Sequence, residues 1–246
     1  MITAVLLIMG FSTGTSHLSA QAGHINRADS AAPGRKSFRL RETIVPSALI
    51  ITGLALTGSE TKRDLQSRFP RTDTRVDNWL QWSPGAVMYS ADIFTNRHRN
   101  NVFNQTKFLC ISLLATSAVT QLIKVSTHVI RPNGGSLSFP SGHTSNAFAG
   151  ATVLFREYCD YNLLVASSGY LLSTTTGILR ITNNRHWVPD VLVGAGIGIL
   201  VTNLVYYLEP LKNWDPFKLS KKEIITIIPV ADPGMNYYSL SVRVKL

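Results

Sequence analysis

Six apolar stretches, separated by short polar segments, run through most of this chain. They cover approximately residues 43–58, 84–94, 108–124, 143–156, 161–179 and 189–208. Several approach the roughly 20 residues that a helix needs to cross a bilayer, although the first two are shorter. Basic residues cluster outside these stretches, as at Arg35-Lys36, Lys62-Arg63, Arg97-His98-Arg99 and Lys221-Lys222. This arrangement is typical of a membrane protein that carries Lys and Arg in its short loops.

The composition favours a membrane protein over a nucleic-acid-binding one. The chain has 246 residues, a net charge of +10 and only 15% charged residues, against about 25% in soluble domains. A nucleic-acid-binding domain would present its basic residues on one soluble face, interleaved with aromatic residues. We therefore predict an all-α membrane bundle of about five to six spans and no nucleic-acid partner. A soluble all-α core is the alternative.

The chain divides into segments of different character. We predict a signal peptide or N-terminal anchor at 1–22, a basic linker at 23–42, a membrane-embedded domain at 43–210 and a polar, β-prone tail at 211–246. The first segment has an apolar core and ends in an A-x-A site at Ala20 and Ala22. In the tail, residues of alternating character follow a turn signal at Pro233-Gly234, which predicts a small hairpin.

Three short polar clusters lie at the edges of the apolar stretches. They are Lys124-x6-Arg131-Pro132, Pro140-Ser141-Gly142-His143 and Arg180-x5-His186-x3-Asp190. Two successive helices between the second and third clusters would return the chain to the same side of the membrane. Together the clusters supply three cations, two imidazoles, a carboxylate and a hydroxyl beside backbone amides. These groups suit the binding of a phosphate while a histidine attacks it.

The first two clusters can form an anion site. Lys124 ends an apolar stretch, and Pro132 keeps Arg131 out of helical geometry, so both cations can reach one point at the membrane surface. Ser141 is a good N-cap, and Gly142 allows close approach to the free N–H groups of the following helix. Each cluster alone also has a structural explanation, as snorkelling cations or as a turn with a helix cap.

The third cluster can orient a histidine. Arg180 ends one apolar stretch, and Pro189 can start the next helix at its first position. Asp190 would lie in the first turn, four residues after His186, where it could accept a hydrogen bond from one imidazole nitrogen and leave the other free to attack. Alternatively, Asp190 only complements the helix dipole. His143 would lie in the first turn of its own helix, facing whatever binds there.

The three clusters together resemble the signature of the type 2 phosphatidic acid phosphatase family, which shares its helical core with vanadium-dependent haloperoxidases. That signature is K-x6-RP, PSGH and SR-x5-H-x3-D, and the resemblance covers about residues 100–208. The first two parts match in full, whereas Leu179 stands where the family has serine. This departure bears on substrate preference more than on the chemistry.

The resemblance implies a role for each residue of the clusters. The phosphate would be bound by Lys124, Arg131, Ser141, Gly142 and Arg180. His186 would be the nucleophile that forms a phosphohistidine, with Asp190 orienting it. His143 would be the general acid for the leaving group. Such an enzyme needs neither a metal nor another cofactor.

Other chemistries fit these residues less well. A zinc site at His143, His186 and Asp190 would lack H-E-x-x-H and would lie beside three repelling cations. An acyl hydrolase built on Ser141, His186 and Asp190 would lack G-x-S-x-G and would leave the cations without a role. A protein of another class, a non-catalytic transporter or binding protein for lipid phosphates, would keep the anion site without turnover.

A site at the edge of a bilayer suits an amphiphile whose phosphate lies at the headgroup level. The residues around Arg180 and the tail resemble a bacterial envelope subgroup of the family, which makes lipid A the first candidate substrate. Undecaprenyl diphosphate and phosphatidic acid are the alternatives. Arg185 would contact a second phosphate or a sugar, or be a simple interfacial cation. We expect a multi-pass protein of the bacterial inner membrane, and two of three possible layouts place the site in the periplasm.

Overall fold

The computed structural model describes residues 41–95, 97–208, 211, 214, 224–232 and 237–245. The predicted signal peptide or anchor at 1–22 lies outside the described residues. The predicted linker at 23–42 also lies outside them, apart from its last two residues, which begin the first helix.

The described chain up to residue 208 consists of eight helices joined by loops. They are α1 (Arg41–Ala55), α2 (Ser59–Ser67), α3 (Val76–Leu80), α4 (Ser83–Phe94), α5 (Val102–Thr127), α6 (Gly142–Tyr158), α7 (Leu163–Thr182) and α8 (Val188–Tyr207). The predicted all-α bundle is confirmed, and each apolar stretch overlaps one of the longer helices. The short helices α2 and α3 were not predicted, because their segment is too polar to form an apolar stretch in the sequence.

Helix α5 is longer than its apolar stretch. It begins at Val102 rather than near residue 108, because the side chain of Asn101 caps it by accepting a hydrogen bond from the Asn104 N–H at 2.9 Å. It continues to Thr127, where a residue in the left-handed conformation ends it. Lys124 therefore lies in the last turn of the helix rather than at its end.

Helix α6 is the centre of the bundle and packs against α4, α5, α7 and α8. Twelve of its 17 residues are buried, and Ala147, Ala149 and Ala151 have no exposed surface. A helix that is covered on all sides cannot show a division into apolar and polar faces. Its hydroxyl groups are satisfied inside the bundle, as where Thr152 Oγ1 donates to the Phe148 carbonyl at 2.7 Å.

Glycines on α8 allow this helix to touch α6 backbone to backbone. A Cβ atom at Gly194 would lie 2.7 Å from the Ser141 carbonyl oxygen, and one at Gly198 would overlap the Ser145 carbonyl oxygen. Any side chain at either position would push the helices apart, so glycine is required for the close approach. The start of α6 is consequently pressed against the first half of α8.

Polar contacts tie the helices together at the other end of α6. Arg156 forms an ion pair with Glu42 of α1 and donates to Asn203 of α8 at 2.9 Å. The next residue, Glu157, is fully buried and accepts hydrogen bonds from the Tyr206 hydroxyl at 2.6 Å and the Asn100 side-chain amide at 2.8 Å. These partners offset the cost of removing the charged groups from water.

Two of the described helices are long and apolar enough to cross a membrane, namely α5 with 26 residues and α8 with 20. The pair Glu42–Ala55 and Ser59–Ser67, bent by 104°, passes the same test if it is counted as one span. Gly, Ser and Thr make up nine of the 20 residues of α7 and five of the 17 residues of α6, and small residues of this kind let membrane helices pack closely. The number of spans, about five to six, stays a prediction.

The tail contains a pair of antiparallel strands after the helices. Strand β1 (Ile224–Asp232) pairs with β2 (Tyr237–Lys245), with Ile224 opposite Lys245 and Asp232 opposite Tyr237. The pair lies in the segment for which the alternating sequence predicts a hairpin.

We expect Gly194→Ala to destabilise the protein, because the added methyl group would press on the Ser141 carbonyl, a backbone atom at the start of α6. Overpacking of this kind costs about 1–3 kcal/mol, which thermal unfolding in detergent would detect as a lower midpoint. Gly150→Ala is the matched control, since its Cβ would meet the nearest atom, Pro84 Cβ, at an ordinary 3.5 Å. An unchanged midpoint for Gly194→Ala would contradict the close packing.

Candidate active site

The three polar clusters meet at one end of the bundle, where α5 and α7 end and α6 and α8 begin. The backbone N–H of Ser141 donates to the Asp190 carbonyl at 2.9 Å, which joins the starts of α6 and α8. The backbone N–H of His186 donates to the Arg180 carbonyl at 3.2 Å, which folds the α7–α8 loop back onto α7. The structure thus brings the second and third clusters together, as the alternation of helices predicts.

Asp190 lies in the first turn of α8, where several hydrogen bonds fix its carboxylate. This helix begins at Val188, so Pro189 is its second residue rather than the predicted first, and Asp190 is the third. The Oδ2 atom of Asp190 accepts a hydrogen bond from the Trp187 N–H at 2.9 Å, as in a capping box. The Ser138 hydroxyl donates to the same oxygen. Asp190 is 1% exposed, so its carboxylate has a fixed position.

His186 lies beside this carboxylate and is itself 1% exposed. Its Nδ1 is 3.5 Å from Asp190 Oδ2 and 3.5 Å from the Ser138 hydroxyl. Its Nε2 forms no hydrogen bond with any described residue. One nitrogen of the ring is therefore oriented toward an acceptor, and the other is left with a free lone pair.

Burial keeps the His186 imidazole neutral. It lowers the pKa of His186 to about 4, against an opposing effect of the hydrogen bond with Asp190, and the positive charges of Arg180 and Lys124 lower it further. At neutral pH the ring is therefore unprotonated at Nε2. An unprotonated, oriented imidazole is the state in which histidine acts as a nucleophile.

Lys124 is bound to the loop that precedes α6. Its Nζ donates to the Leu137 and Pro140 carbonyls, both at 2.8 Å, and lies 3.4 Å from the Ser138 carbonyl. These acceptors satisfy the three hydrogens of the ammonium group. The sequence predicts that Lys124 binds phosphate, whereas in the structure it shapes the loop that carries Ser138. Its effect on a bound anion would come from its charge.

Arg180, in the last turn of α7, forms an ion pair that the sequence does not predict. Its Nη1 donates to Asp77 Oδ2 of α3 at 2.6 Å, and the two side chains are 8% and 2% exposed. The Asn183 side chain donates to the other carboxylate oxygen at 3.1 Å and to the Thr74 carbonyl at 2.9 Å. These bonds hold α3 against the end of α7 and balance the buried charge of Arg180.

Two arginines of the clusters keep a buried donor without a partner. The Nε groups of Arg131 and Arg180 are buried and bond to no described residue. Arg131 lies in a tight turn, where its backbone N–H donates to the Gly135 carbonyl at 2.7 Å. A buried N–H without an acceptor costs about 1–3 kcal/mol. An oxyanion that reached both side chains would supply the missing acceptors.

The start of α6 contributes further groups. Ser141 occupies the N-cap position, as predicted, but its hydroxyl bonds to Thr144 Oγ1 at 2.9 Å instead of capping the backbone. Gly142 is the first helical residue, and the first N–H groups of a helix have no acceptor within it. His143 is half-buried, and its Nε2 lies 2.9 Å from Asn78 Oδ1 of α3.

The charge at the site suits an anion. Among the described residues, the three positive side chains of Lys124, Arg131 and Arg180 lie near the carboxylates of Asp77, which pairs with Arg180, and Asp190, which acts on Lys124. Within the described ranges, no group of three or more His, Cys, Asp or Glu side chains is placed to hold a metal ion.

Two residues singled out in the sequence lie beside the site. Arg185 is exposed, and its backbone N–H donates to the Arg180 carbonyl at 3.1 Å. Leu179 is half-buried in α7, and its carbonyl accepts from the Asn183 N–H at 2.9 Å. The roles of both side chains stay predictions.

The structure adds residues that the sequence analysis did not name, which are Ser138, Asp77, Asn78 and Asn183. A signal for Ser138 was available, because it lies three residues before Ser141 in the same polar segment. Asp77 had no such signal, since it is 103 residues from Arg180 and belongs to no local pattern. Only the packing of α3 against α7 pairs them.

Comparison with known sequences finds a family profile and several relatives that match part of this chain. Residues 105–214 match the sequence profile of the PAP2 superfamily. The chain is 37% identical over 158 residues to the lipid A 1-phosphatase of Porphyromonas gingivalis, a match that covers 61% of this chain and 35% of that protein. It is 28% identical over 167 residues to lipid phosphate phosphatase 1 of Arabidopsis thaliana, which covers 50% of this chain and 51% of that protein. The matches thus span about a third to a half of these relatives.

Two solved structures are similar to this one. The crystal structure of Aquifex aeolicus LpxE has a TM-score of 0.45 and 23% identity, over 60% of this chain and 93% of that one. A transmembrane PAP2-type phosphatidylglycerolphosphate phosphatase from Bacillus subtilis has a TM-score of 0.45 and 17% identity, over 71% of this chain and 99% of that one. The long apolar helices among the described residues support a membrane protein.

We expect Asp77→Ala to destabilise the protein, because it leaves the guanidinium of Arg180 buried without a counter-charge. Breaking a buried pair in this way costs about 3–5 kcal/mol, and thermal unfolding in detergent measures the loss. Asp73→Ala, which removes an exposed carboxylate from the loop just before α3, is the matched control. The double variant Asp77→Ala with Arg180→Met should recover part of the loss, since no charge then stays buried. Equal midpoints for the two single variants would contradict this role of the pair.

Proposed function

From the PAP2 superfamily domain that this chain carries over residues 105–214, we propose that it is a membrane phosphatase that hydrolyses a lipid phosphate or diphosphate monoester through a phosphohistidine. The observation that carries the proposal is the buried, neutral His186. Its Nδ1 faces Asp190 and Ser138, and its Nε2 has no partner among the described residues. A histidine held in this way can attack phosphorus directly.

In the proposed mechanism, donors at the helix ends bind the phosphate. Arg131 and Arg180 each offer a buried Nε–H without a partner. The N–H groups at Gly142, next to Ser141, lie at a helix start, where the helix dipole also favours an anion. The charge of Lys124 adds to the stabilisation of the negative charge that develops on the transferred group.

The first step transfers the phosphoryl group to the enzyme. A bond forms between His186 Nε2 and phosphorus while the bond to the leaving oxygen breaks and its electron pair moves to that oxygen. The Asp190 carboxylate, beside Nδ1, stabilises the positive charge that the imidazole gains. His143 acts as the general acid and gives a proton to the leaving oxygen.

The second step releases phosphate. Water attacks the phosphorus of the phosphohistidine, and the neutral His143 takes the proton that the water loses. The bond to His186 Nε2 breaks, so both histidines return to their starting protonation states. No metal takes part in this scheme, since the Lys and Arg side chains perform the neutralisation of charge.

We propose lipid A as the first candidate substrate. The relative from Porphyromonas gingivalis is named lipid A 1-phosphatase, and this name supports the choice made from the sequence around Arg180. Undecaprenyl diphosphate and phosphatidic acid are the alternatives, and the relative named lipid phosphate phosphatase 1 keeps them open. We propose that the protein lies in the bacterial inner membrane with its site facing the periplasm, since the positive-inside rule favours a cytoplasmic side for the basic residues at 35–41 and 97–107.

We expect the purified protein to release inorganic phosphate from a lipid phosphate in the presence of EDTA, and vanadate, a mimic of the phosphoryl transition state, to inhibit the release. His186→Ala should lower kcat by about 10³-fold or more, because the nucleophile is lost. His98→Ala, which removes a histidine from the loop before α5, is the matched control. Unchanged turnover by His186→Ala would contradict the phosphohistidine. Phosphate binding without turnover by the wild-type protein would favour the non-catalytic binding protein.

We expect kcat/KM to be highest for lipid A in a comparison with undecaprenyl diphosphate and phosphatidic acid. If Arg185 contacts a second phosphate or sugar, Arg185→Ala should lower kcat/KM for lipid A about tenfold, the worth of one hydrogen bond to a charged group. It should leave phosphatidic acid unaffected, since this lipid has one phosphate and no sugar. Arg71→Ala, an exposed arginine in the loop before α3, is the control. An equal loss on all three lipids would contradict a headgroup contact.

A further inference from the structure

The short helix α3 places a neutral side chain against one of the two site histidines. Asn78 Oδ1 lies 2.9 Å from His143 Nε2, across 65 positions of sequence. This contact is at the surface of the protein, where water competes for both groups. Its persistence therefore depends on how firmly α3 is held.

A buried neighbour holds α3 in place. Asp77 is 2% exposed and accepts hydrogen bonds from Arg180 at 2.6 Å and from Asn183 at 3.1 Å. The Gln81 side chain donates to the Asn78 carbonyl at 2.9 Å on the other side. With Asp77 anchored and the following turn closed, the backbone of Asn78 has little freedom. Its amide is thus presented to His143 without much further loss of entropy on forming the contact.

The contact decides which nitrogen of His143 can exchange a proton. An amide oxygen only accepts hydrogen bonds, so Nε2 must carry the hydrogen, and Nδ1 is the nitrogen left over. We propose that Asn78 is a positioning residue that keeps a hydrogen on His143 Nε2, so that Nδ1 gives and takes the proton during phosphoryl transfer. The inference rests on the proposed function, because it assigns an atom to the general acid of that reaction.

The two steps balance with this assignment. In the first, His143 carries hydrogens on both nitrogens, and the Nδ1 hydrogen passes to the leaving oxygen as its bond to phosphorus breaks. In the second, Nδ1 accepts a proton from the attacking water. The hydrogen on Nε2 stays on the His143 ring throughout and remains hydrogen-bonded to Asn78 Oδ1. Asn78 therefore acts through His143 and touches no reacting atom.

Other charged groups also act on the His143 ring. They are Arg180 on α7, Asp77 on α3, His186 in the α7–α8 loop and Arg131 in the α5–α6 loop. A substitution at Asn78 changes none of them. A change in the titration of His143 in such a variant therefore reports the Asn78 contact.

The test is kcat as a function of pH at saturating lipid phosphate, measured for the full-length wild-type protein, Asn78→Asp, Asn78→Ala and Val76→Ala. The alkaline limb of this profile reports loss of the acid proton in the enzyme–substrate complex. Asn78→Asp keeps the acceptor and adds a negative charge that favours protonated His143, so the limb should move to higher pH by about one unit. The acid limb, which follows His186, should stay in place.

The other two variants separate positioning from structural support. Asn78→Ala removes the acceptor, and kcat should fall about tenfold, the worth of one hydrogen bond to a charged group. Recovery of the plateau rate in Asn78→Asp would show that the oxygen is what matters. Val76→Ala shortens an exposed side chain of α3 without touching His143 or Asn78, and it should keep the wild-type profile.

The outcomes distinguish this inference from the proposed function. Turnover with superimposable profiles for wild type and both Asn78 variants would overturn the inference and leave the phosphatase in place. Absence of wild-type turnover would overturn the phosphatase. The contact itself is then decided by nuclear magnetic resonance titration of labelled histidine rings, with the His143 signal assigned through His143→Gln. In the neutral wild-type ring, nitrogen-15 shifts that place the hydrogen on Nε2 support the assignment, and shifts that place it on Nδ1 overturn it.

Discussion

The carboxylate of Asp190 is the group on which the rest of the site depends. It accepts hydrogen bonds from the Ser138 hydroxyl and the Trp187 N–H and faces His186 Nδ1. The backbone carbonyl of the same residue accepts from the Ser141 N–H. One residue thus connects the loop before α6, the loop before α8 and the starts of both helices. Because a buried carboxylate without partners is costly, these contacts form together, and the candidate nucleophile is oriented by the fold itself.

Buried positive charge is the second constraint, and the protein meets it in different ways. Lys124 is satisfied by carbonyl groups of the loop before α6, and Arg180 by the carboxylate of Asp77. Arg131 and Arg180 nevertheless retain buried Nε–H groups without acceptors. Such donors lower the stability of the free protein, and a ligand that satisfies them stabilises the folded state in proportion to its binding. These unpaired donors support the proposal that the site binds an anion.

The packing of the bundle explains why these groups can meet. Glycines at positions 194 and 198 let α8 approach the first turns of α6 at backbone distance. With a larger residue there, the Ser141 N–H would move away from the Asp190 carbonyl. The same glycines therefore account for the close packing of α8 on α6 and for the convergence of the starts of these two helices at the site.

The sequence alone determined the longer helices of the bundle and named the main set of candidate site residues, because both depend on short-range patterns. Apolar stretches mark the longer helices, and the four-residue spacing of His186 and Asp190 brings them together at a helix start whatever lies around them. The tertiary structure decided which partners these groups have. Asp77 and Asn78 reach Arg180 and His143 across 103 and 65 positions, and Lys124 turns to loop carbonyls. Such contacts form only when α3 and the loop before α6 pack against the bundle, so no local pattern encodes them.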